Sequence, residues 1–193
     1  MSMRHSVIII PGIDDRTRGT QFLTRHWRLS GLEPIVHAIG WHHGAFEDKL
    51  EKLLALVDAC AVRGTVSIVG LSAGASAALN MYTKRRERIH RVISICGLIR
   101  VLDPNDRKDV PSDVLLSSVD LLANNLKDLS DSDRANILTI TPRFGDERVK
   151  HENSVLEGAA NIQIPSRGHA LSIGLALTIF SKQLLEFLTQ EST

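Results

Sequence analysis

The 193-residue sequence has little of what marks a disulfide-rich, a membrane-spanning or a nucleic-acid-binding protein. Its 2 cysteines, Cys60 and Cys96, offer neither a disulfide framework nor a metal-ligand spacing. A formal net charge of +1 argues against nucleic acid or an anionic membrane as the main partner. The apolar run at residues 7–10 is too short for a signal-peptide core, and residues 170–180 are too interrupted to span a bilayer. We therefore expect a cytoplasmic protein with reduced thiols.

The sequence does contain a regular alternation of apolar segments. Six short, mostly β-branched runs occur at residues 7–10, 34–37, 66–69, 92–95, 137–140 and 162–164. Several are continuously apolar, which is typical of strands buried on both faces of a parallel sheet, and segments with helical spacing lie between them. The pattern predicts an α/β fold, a three-layer α/β/α sandwich around a mainly parallel six-stranded sheet. Because no linker or repeat interrupts it, residues 1–193 are expected to form one domain.

The least regular segment spans residues 98–136. It has turn-forming sequences at residues 103–106 and 131–133, which flank an amphipathic helix that starts near Ser112. The segment is longer than an ordinary connection between two strands of such a fold. Two interpretations stay open at this point, a small cap over a binding site and a plain crossover helix with long flanking loops.

The central motif is Gly-Leu-Ser-Ala-Gly at residues 70–74, between a β-branched run and a segment of small, helix-favouring residues. This is the G-x-S-x-G pattern of a nucleophile elbow, a sharp strand-to-helix turn that lifts a serine hydroxyl above the sheet edge. Gly70 and Gly74 remove the Cβ atoms that would collide in such a turn. Ser72 would lie at the amino end of a helix, where free N–H groups favour negative charge. Ser72 is therefore the candidate nucleophile.

A serine hydroxyl becomes a strong nucleophile only when a base takes its proton, and that base needs an acid that orients it. His169 follows the last predicted strand and Asp146 follows the strand before it, so both are expected at the sheet edge that carries Ser72. The order Ser, Asp, His is the one expected when an elbow serine comes first along the chain. Asp103, beyond the fourth predicted strand, is the alternative acid, although its Pro-Asn neighbours favour a turn.

An oxyanion formed by attack on a carbonyl group needs hydrogen-bond donors. One candidate is the backbone N–H of Ala73, directly after the serine. The second is the N–H of Ile13 in the loop after the first strand, where Gly12 permits close approach of the backbone. An ordinary turn after a strand has the same Pro-Gly sequence, so that interpretation stays open beside the oxyanion hole.

These motifs resemble those of the α/β-hydrolases, in the reduced form that lacks the family's first two antiparallel strands. The resemblance covers essentially the whole chain. Residues 70–74 match the nucleophile elbow, residues 145–149 match the loop that holds the triad acid, and Gly168-His169 matches the catalytic histidine loop. The resemblance implies the sheet order 2-1-3-4-5-6, with Ser72 and the Gly12 loop at the switch point where open α/β sheets bind ligands.

The first loop departs from the family's pattern. It reads Pro11-Gly12 where the family often has His-Gly, and the acidic pair Asp14 and Asp15 follows. Negative charge is unfavourable beside an oxyanion hole. We therefore expect these two carboxylates to point away from it or to cap the next helix.

The loop at residues 40–44 also differs from the family's. Its residues Trp41 and His42 are candidates for lining a substrate pocket together with Gly12 and Leu71, and they are equally compatible with an ordinary exposed loop. His42 and the adjacent histidine have no third ligand at useful spacing, so no metal site is predicted.

The sequence thus predicts a serine hydrolase that cleaves a carboxylic ester or a related acyl compound. Ser72 would attack, His169 would transfer the proton and Asp146 would orient the imidazole, with an acyl-enzyme as intermediate and no cofactor. The expected partner is a small-molecule acyl substrate, soluble rather than a long lipid because any cap is small. Acyl transfer by the same three residues and a catalytically silent binding domain are the alternatives, and the sequence indicates no particular oligomeric state.

Overall fold

The computed structural model describes residues 4–190, which contain one six-stranded sheet. Its strands are β1 (Arg4–Ile10), β2 (Leu32–Val36), β3 (Gly64–Leu71), β4 (Arg91–Ile95), β5 (Ile137–Pro142) and β6 (Ala160–Ile164). All neighbouring strands are parallel, in the order β2-β1-β3-β4-β5-β6. The predicted sheet and its strand order are confirmed. Residues 1–3 and 191–193 of the predicted domain lie outside the described range.

Helices connect the strands and follow the last one. They are α1 (Thr17–Thr24), α2 (Phe46–Ala61), α3 (Gly74–Arg85), α4 (Pro104–Arg107), α5 (Asp113–Asn125), α6 (Asp131–Arg134), α7 (His169–Leu177) and α8 (Ser181–Thr189), with 3-10 turns at Arg25–Ser30, Leu126–Asp128 and His151–Asn153. Between residues 4 and 190 no single helix is long and apolar enough to cross a membrane. Only α7 and α8 taken as a pair reach that length and composition, with a bend of 56° between them.

Each face of the sheet carries its own apolar core. Along β1, Ile8 and Ile10 pack on one face while Val7 and Ile9 pack on the other, and all four are fully buried. The first face is covered by α2, α3 and α5, and the second by α1, α7 and α8. Each buried side chain of this kind contributes roughly 1.5–3 kcal/mol. The predicted three-layer sandwich is therefore confirmed, with β3 and β4 at the centre of its sheet.

The long segment between β4 and β5 contributes a helix to the first of these layers. Helix α5 packs against α3, and Val119 is almost fully buried between them and the sheet. Ser112 caps α5 by accepting a hydrogen bond from the N–H of Leu115, and its hydroxyl also donates to the carbonyl of Trp41. These contacts place α5 in the position of a crossover helix.

Candidate active site

The turn between β3 and α3 has the strained geometry of a nucleophile elbow. Ser72 has a left-handed backbone conformation with φ of 52°, which is unusual for a residue with a side chain. A Cβ atom on Gly70 would lie 2.4 Å from the Cα of Ala75, and one on Gly74 would lie 2.2 Å from the carbonyl oxygen of Ile10. Only glycine fits at either position, so the two glycines of the motif are required by the turn itself.

A continuous hydrogen-bond chain runs from this serine to a carboxylate. The Nε2 atom of His169 lies 2.8 Å from Ser72 Oγ, and its Nδ1 atom lies 2.8 Å from a carboxylate oxygen of Asp146. An ionised carboxylate can only accept, so Nδ1 carries the proton and Nε2 is left to accept from the serine hydroxyl. His169 is 5% exposed. The three residues singled out in the sequence therefore meet in the arrangement that nucleophilic catalysis by serine needs.

The environment of Asp146 keeps its carboxylate ionised. Burial on its own raises the pKa of this group, but the hydrogen bond to His169 and those from the N–H groups of Arg148 and Val149 outweigh that effect. The backbone donors lie at 2.8 and 3.0 Å from one carboxylate oxygen, while the imidazole uses the other. The net pKa of Asp146 is thus below its usual value. A charge is available to orient and stabilise an imidazolium.

Two further residues, Glu147 and Cys96, contact the loops that carry Asp146 and His169, and the sequence alone did not single them out. Glu147 accepts a hydrogen bond of 2.9 Å from the backbone N–H of His169, which ties the start of α7 to the loop after β5. Cys96, at the end of β4, is fully buried and has a left-handed φ of 49°. Burial and the neighbouring carboxylates of Asp146 and Glu147 raise the pKa of its thiol, so it is a neutral group beside the acid.

The Cys96 thiol also belongs to a cluster with the spacing of a metal site. Its sulfur, a carboxylate oxygen of Asp146 and a ring nitrogen of His169 lie within 4.8 Å of one another. Metal ligation by cysteine requires the thiolate, whereas these surroundings favour the protonated thiol, which is a hydrogen-bond donor. The chemistry of the cluster fits a donor to the carboxylate better than it fits a metal ligand.

Two backbone amides beside Ser72 have no partner within residues 4–190. The N–H groups of Ile13 and Ala73 donate no hydrogen bond to any described residue. A Cβ atom on Gly12 would lie 3.1 Å from the Cβ of Ser72, so the first loop passes close to the serine. Unsatisfied backbone donors are uncommon in folded proteins. Residues 12–15 form a hydrogen-bonded turn, in which the N–H of Asp15 donates to the carbonyl of Gly12 at 2.9 Å. The Ile13 amide of this turn and the Ala73 amide are donors of the kind that an oxyanion hole needs.

The two carboxylates of the first loop have different surroundings, since Asp15 binds another loop while Asp14 lines the cavity that contains Ser72. The Asp15 carboxylate accepts hydrogen bonds from the N–H groups of Ile39, at 2.9 Å, and Gly40, at 2.7 Å, and its own φ is 49°. Asp14 forms an exposed ion pair of 3.5 Å with Arg16. Neither side chain caps α1. Asp15 therefore fastens the loop that carries the free Ile13 amide to the loop after β2, and it does not line the cavity beside Ser72.

A cavity of about 390 Å³ opens beside Ser72 and His169. It lies between α1 and α7, and Gly12, Ile13 and Leu71 line it, as do further residues of the two helices. No residue of segment 98–136 lines it, so this cavity is not covered by that segment. Asp103, the alternative acid, is exposed at the start of α4 and takes no part in the hydrogen-bond chain.

Two of the suggested pocket residues lie elsewhere. Trp41 is fully buried, stacks on Phe46 at 6.5 Å between ring centroids, and belongs to the core on the α2 side of the sheet. His42 is exposed, and neither residue lines the cavity beside Ser72. The pocket interpretation of Trp41 is corrected, because its indole is buried against Phe46 in the core and does not line the cavity beside Ser72.

Comparison with known proteins defines the fold. No protein-family model and no curated protein matches the sequence. Among solved structures, a thermophilic esterase from Thermogutta terrifontis matches with a TM-score of 0.70 at 14% identity, over 96% of this chain and 90% of that one. A monoacylglycerol lipase from Paleococcus ferrophilus matches with 0.67 at 12% identity, over 96% and 94%. Est1E from Butyrivibrio proteoclasticus matches with 0.65 at 17% identity, over 98% and 90%.

These similarities, together with the parallel sheet of order 2-1-3-4-5-6, identify the class of structure. The chain has the α/β-hydrolase fold. The fold is present in its reduced form. The six strands of residues 4–190 are all parallel, and none of them corresponds to the two antiparallel strands that begin the larger members.

Proposed function

We propose that this protein is a serine hydrolase that cleaves a carboxylic ester or a related acyl compound of small size. The observation that carries the proposal is the chain of two 2.8 Å hydrogen bonds from Asp146 through His169 to Ser72. It lies beside a cavity and two free backbone amides. Esterases and lipases among the structural neighbours share the fold, which supports a hydrolase without defining its substrate.

In the first half of the reaction, Ser72 Oγ attacks the carbonyl carbon while its proton moves to Nε2 of His169. A carbon–oxygen bond forms, and the electron pair of the carbonyl double bond moves onto its oxygen. The amides of Ile13 and Ala73 donate to this oxyanion. The tetrahedral intermediate then breaks its bond to the alcohol oxygen, which takes the proton from His169. The products are the free alcohol and an acyl group on Ser72.

In the second half, water replaces the alcohol. His169 takes a proton from the water as its oxygen attacks the acyl carbon, and the same two amides bind the second oxyanion. The bond to Ser72 Oγ breaks, and the proton on Nε2 returns to that oxygen. Asp146 keeps its negative charge throughout, in line with its lowered pKa, and it holds Nδ1–H toward itself.

The proposal extends to the organisation and the setting of the chain. We assign residues 1–193 to one domain, with 98–136 as a crossover segment, because α5 packs into the helical layer beside α3. Cys60 and Cys96 are both buried free thiols, which supports a reducing compartment such as the cytoplasm.

Steady-state hydrolysis of p-nitrophenyl acetate by the purified protein tests the function. We expect the wild type to turn over the ester and the His169→Ala variant to lose at least about a thousandfold in kcat. His26→Ala is a matched control, since His26 also contacts a serine hydroxyl, that of Ser181, but neither residue lines the cavity beside Ser72. A wild type that hydrolyses no ester at all would favour a silent binding domain, and a His169→Ala variant with full activity would remove the proposed base.

A further inference from the structure

Two helical glycines border the cavity without any reason inside the fold for being glycine. Gly19 lies in α1 and Gly174 lies in α7, and both line the cavity beside Ser72. A Cβ atom built on either of them meets no atom within 4 Å. Neither has a positive φ, so an L side chain would suit the backbone at both positions.

Glycine is the least favourable residue in a helix apart from proline, because it loses the most backbone entropy on folding. The glycines of the elbow contrast with this pair, since a Cβ atom on Gly70 or Gly74 would lie less than 3.0 Å from backbone atoms. At Gly19 and Gly174 the space that a side chain would fill stays open. The open volume adds to the cavity between the two helices.

The rest of the cavity wall is suited to an apolar group. Leu23 of α1 and Ile173 and Leu177 of α7 line it together with Leu71, next to the serine. The charged lining residues Asp14, Arg16 and Arg148 are exposed to solvent. An apolar chain that leaves an ester carbonyl at Ser72 would therefore run between α1 and α7 and pass both glycines, and its burial would favour binding.

We propose that the cavity between α1 and α7 binds the apolar chain of the substrate ester, and that Gly19 and Gly174 set the longest chain accepted. This inference rests on the proposed hydrolase function. It names the substrate class as esters with an unbranched apolar chain on one side of the carbonyl. A side chain at either glycine position would occupy the space that the far end of a longer chain needs.

The test is the chain-length profile of kcat/KM in Gly19→Leu and Gly174→Leu variants. One series varies the acyl group in p-nitrophenyl acetate, butyrate, hexanoate and octanoate, and a second series varies the alcohol in acetate esters. We expect the ratio of octanoate to acetate, or of octyl to ethyl ester, to fall at least about tenfold in each variant. The series that responds tells whether the acyl or the alcohol chain occupies the cavity.

A matched control adds the same side chain outside the cavity. Gln21 is exposed on α1 and does not line the cavity, so Gln21→Leu should leave both profiles as in the wild type. Gly174→Ala guards against misfolding, because alanine favours the helix and should raise Tm by about 2–4 °C while shortening the accepted chain by a smaller amount.

The outcomes separate the inference from the function on which it rests. If the wild type hydrolyses the esters and both leucine variants keep its chain-length profile in both series, the inference is wrong and the hydrolase function stands. If the wild type hydrolyses none of the esters, the function and the inference fail together. If Gly174→Leu does not fold, an unchanged profile in Gly174→Ala and Gly19→Leu still overturns the inference.

Discussion

Two histidine–serine contacts of nearly equal length lie along the same strand, β3. His169 Nε2 lies 2.8 Å from Ser72 Oγ, just beyond the carboxyl end of β3, and His5 Nε2 lies 2.9 Å from Ser67 Oγ, nearer its amino end. The first pair has a carboxylate behind the imidazole. The second has the ring of His90, 5.7 Å away between centroids, and its serine is fully buried.

The surroundings determine whether a histidine–serine contact can act as a base and a nucleophile. Burial, followed by the nearby His90, lowers the pKa of His5 to about 4, so its imidazole resists protonation. A base that resists protonation cannot accept a serine proton readily. At the other pair, Asp146 is ionised and stabilises a positive imidazole. Only the pair at the carboxyl edge combines a base, an orienting acid, free amides and a cavity.

Removal of each serine in turn should give the largest difference between the two pairs. Ser72→Ala should lower kcat for ester hydrolysis by about a millionfold, since it deletes the nucleophile. Ser67→Ala should leave kcat within about twofold, although it removes a buried hydrogen bond and lowers stability by about 1 kcal/mol. Comparison of kcat and Tm for the two variants checks both statements. Equal losses of activity would show that the two pairs are not distinct in function.

The acid behind the imidazole is expected to have the next largest effect. Asp146→Asn presents an amide that can donate to Nδ1, which favours the wrong imidazole tautomer, so kcat should fall by about ten-thousandfold. The neighbouring Glu147 binds the backbone of His169 instead of its ring, and Glu147→Gln should cost less than about tenfold. An Asp146→Asn variant with nearly full activity would mean that the carboxylate does not orient the base.

A smaller effect is expected where a carboxylate positions the first loop. Asp15→Ala loses the bonds to Ile39 and Gly40, so the loop with the Ile13 amide should shift and kcat should fall by about ten- to a hundredfold with little change in KM. Asp15→Asn keeps one acceptor oxygen and should recover part of the rate. Asp14 borders the cavity, but its carboxylate forms an exposed ion pair with Arg16, so Asp14→Ala is expected to change kcat within about twofold. A rise in KM alone would contradict this role.

The second histidine–serine pair should affect stability and not catalysis. Because the folded pKa of His5 is lowered to about 4 from 6.5, the unfolded state binds more protons between those values, and stability is lost as pH falls through that range. The pKa of the adjacent His90 is also lowered, mainly by burial and then by the positive charge of Arg91. Because part of the ring is exposed to solvent, we expect His5 to account for about 1 kcal/mol of this loss of unfolding free energy.

Thermal unfolding measured at about pH 7.5 and about pH 5 tests this expectation. The Tm difference should shrink by about 2–4 °C in His5→Gln, whose side chain does not titrate and still reaches Ser67. If the variant keeps the full pH dependence of the wild type, His5 is not its source.

The sequence predicted most of what depends on local chemistry. The β-branched runs, the glycines of the elbow and the positions of Asp146 and His169 after successive strands led to the correct sheet and brought three distant residues to one edge. Residues that follow parallel strands all lie at the carboxyl edge of the sheet. The position of a residue after a predicted strand therefore predicts that it lies near the other residues of that edge.

What the sequence did not predict depends on packing between distant segments. Trp41 is buried in a core shared with distant segments, and its carbonyl accepts a hydrogen bond from Ser112, 71 residues further along the chain. The role of Asp15 depends on its contact with the loop at Ile39, which the residues next to Asp15 in the sequence do not predict. The Cys96 thiol is neutral because it is buried beside Asp146. The open space at Gly19 and Gly174 is visible only once α1 and α7 face each other. No local pattern carries these facts.

The most direct test of the central claim is the site of covalent labelling by a fluorophosphonate. The activated serine should displace fluoride and form a phosphonyl ester, so peptide mass spectrometry of the wild type should find the adduct on Ser72 and on no other residue. His169→Ala should take up label at least about a thousandfold more slowly, and Ser67→Ala at the wild-type rate. An adduct on another serine, or labelling of Ser72 that is unaffected by loss of His169, would contradict the account.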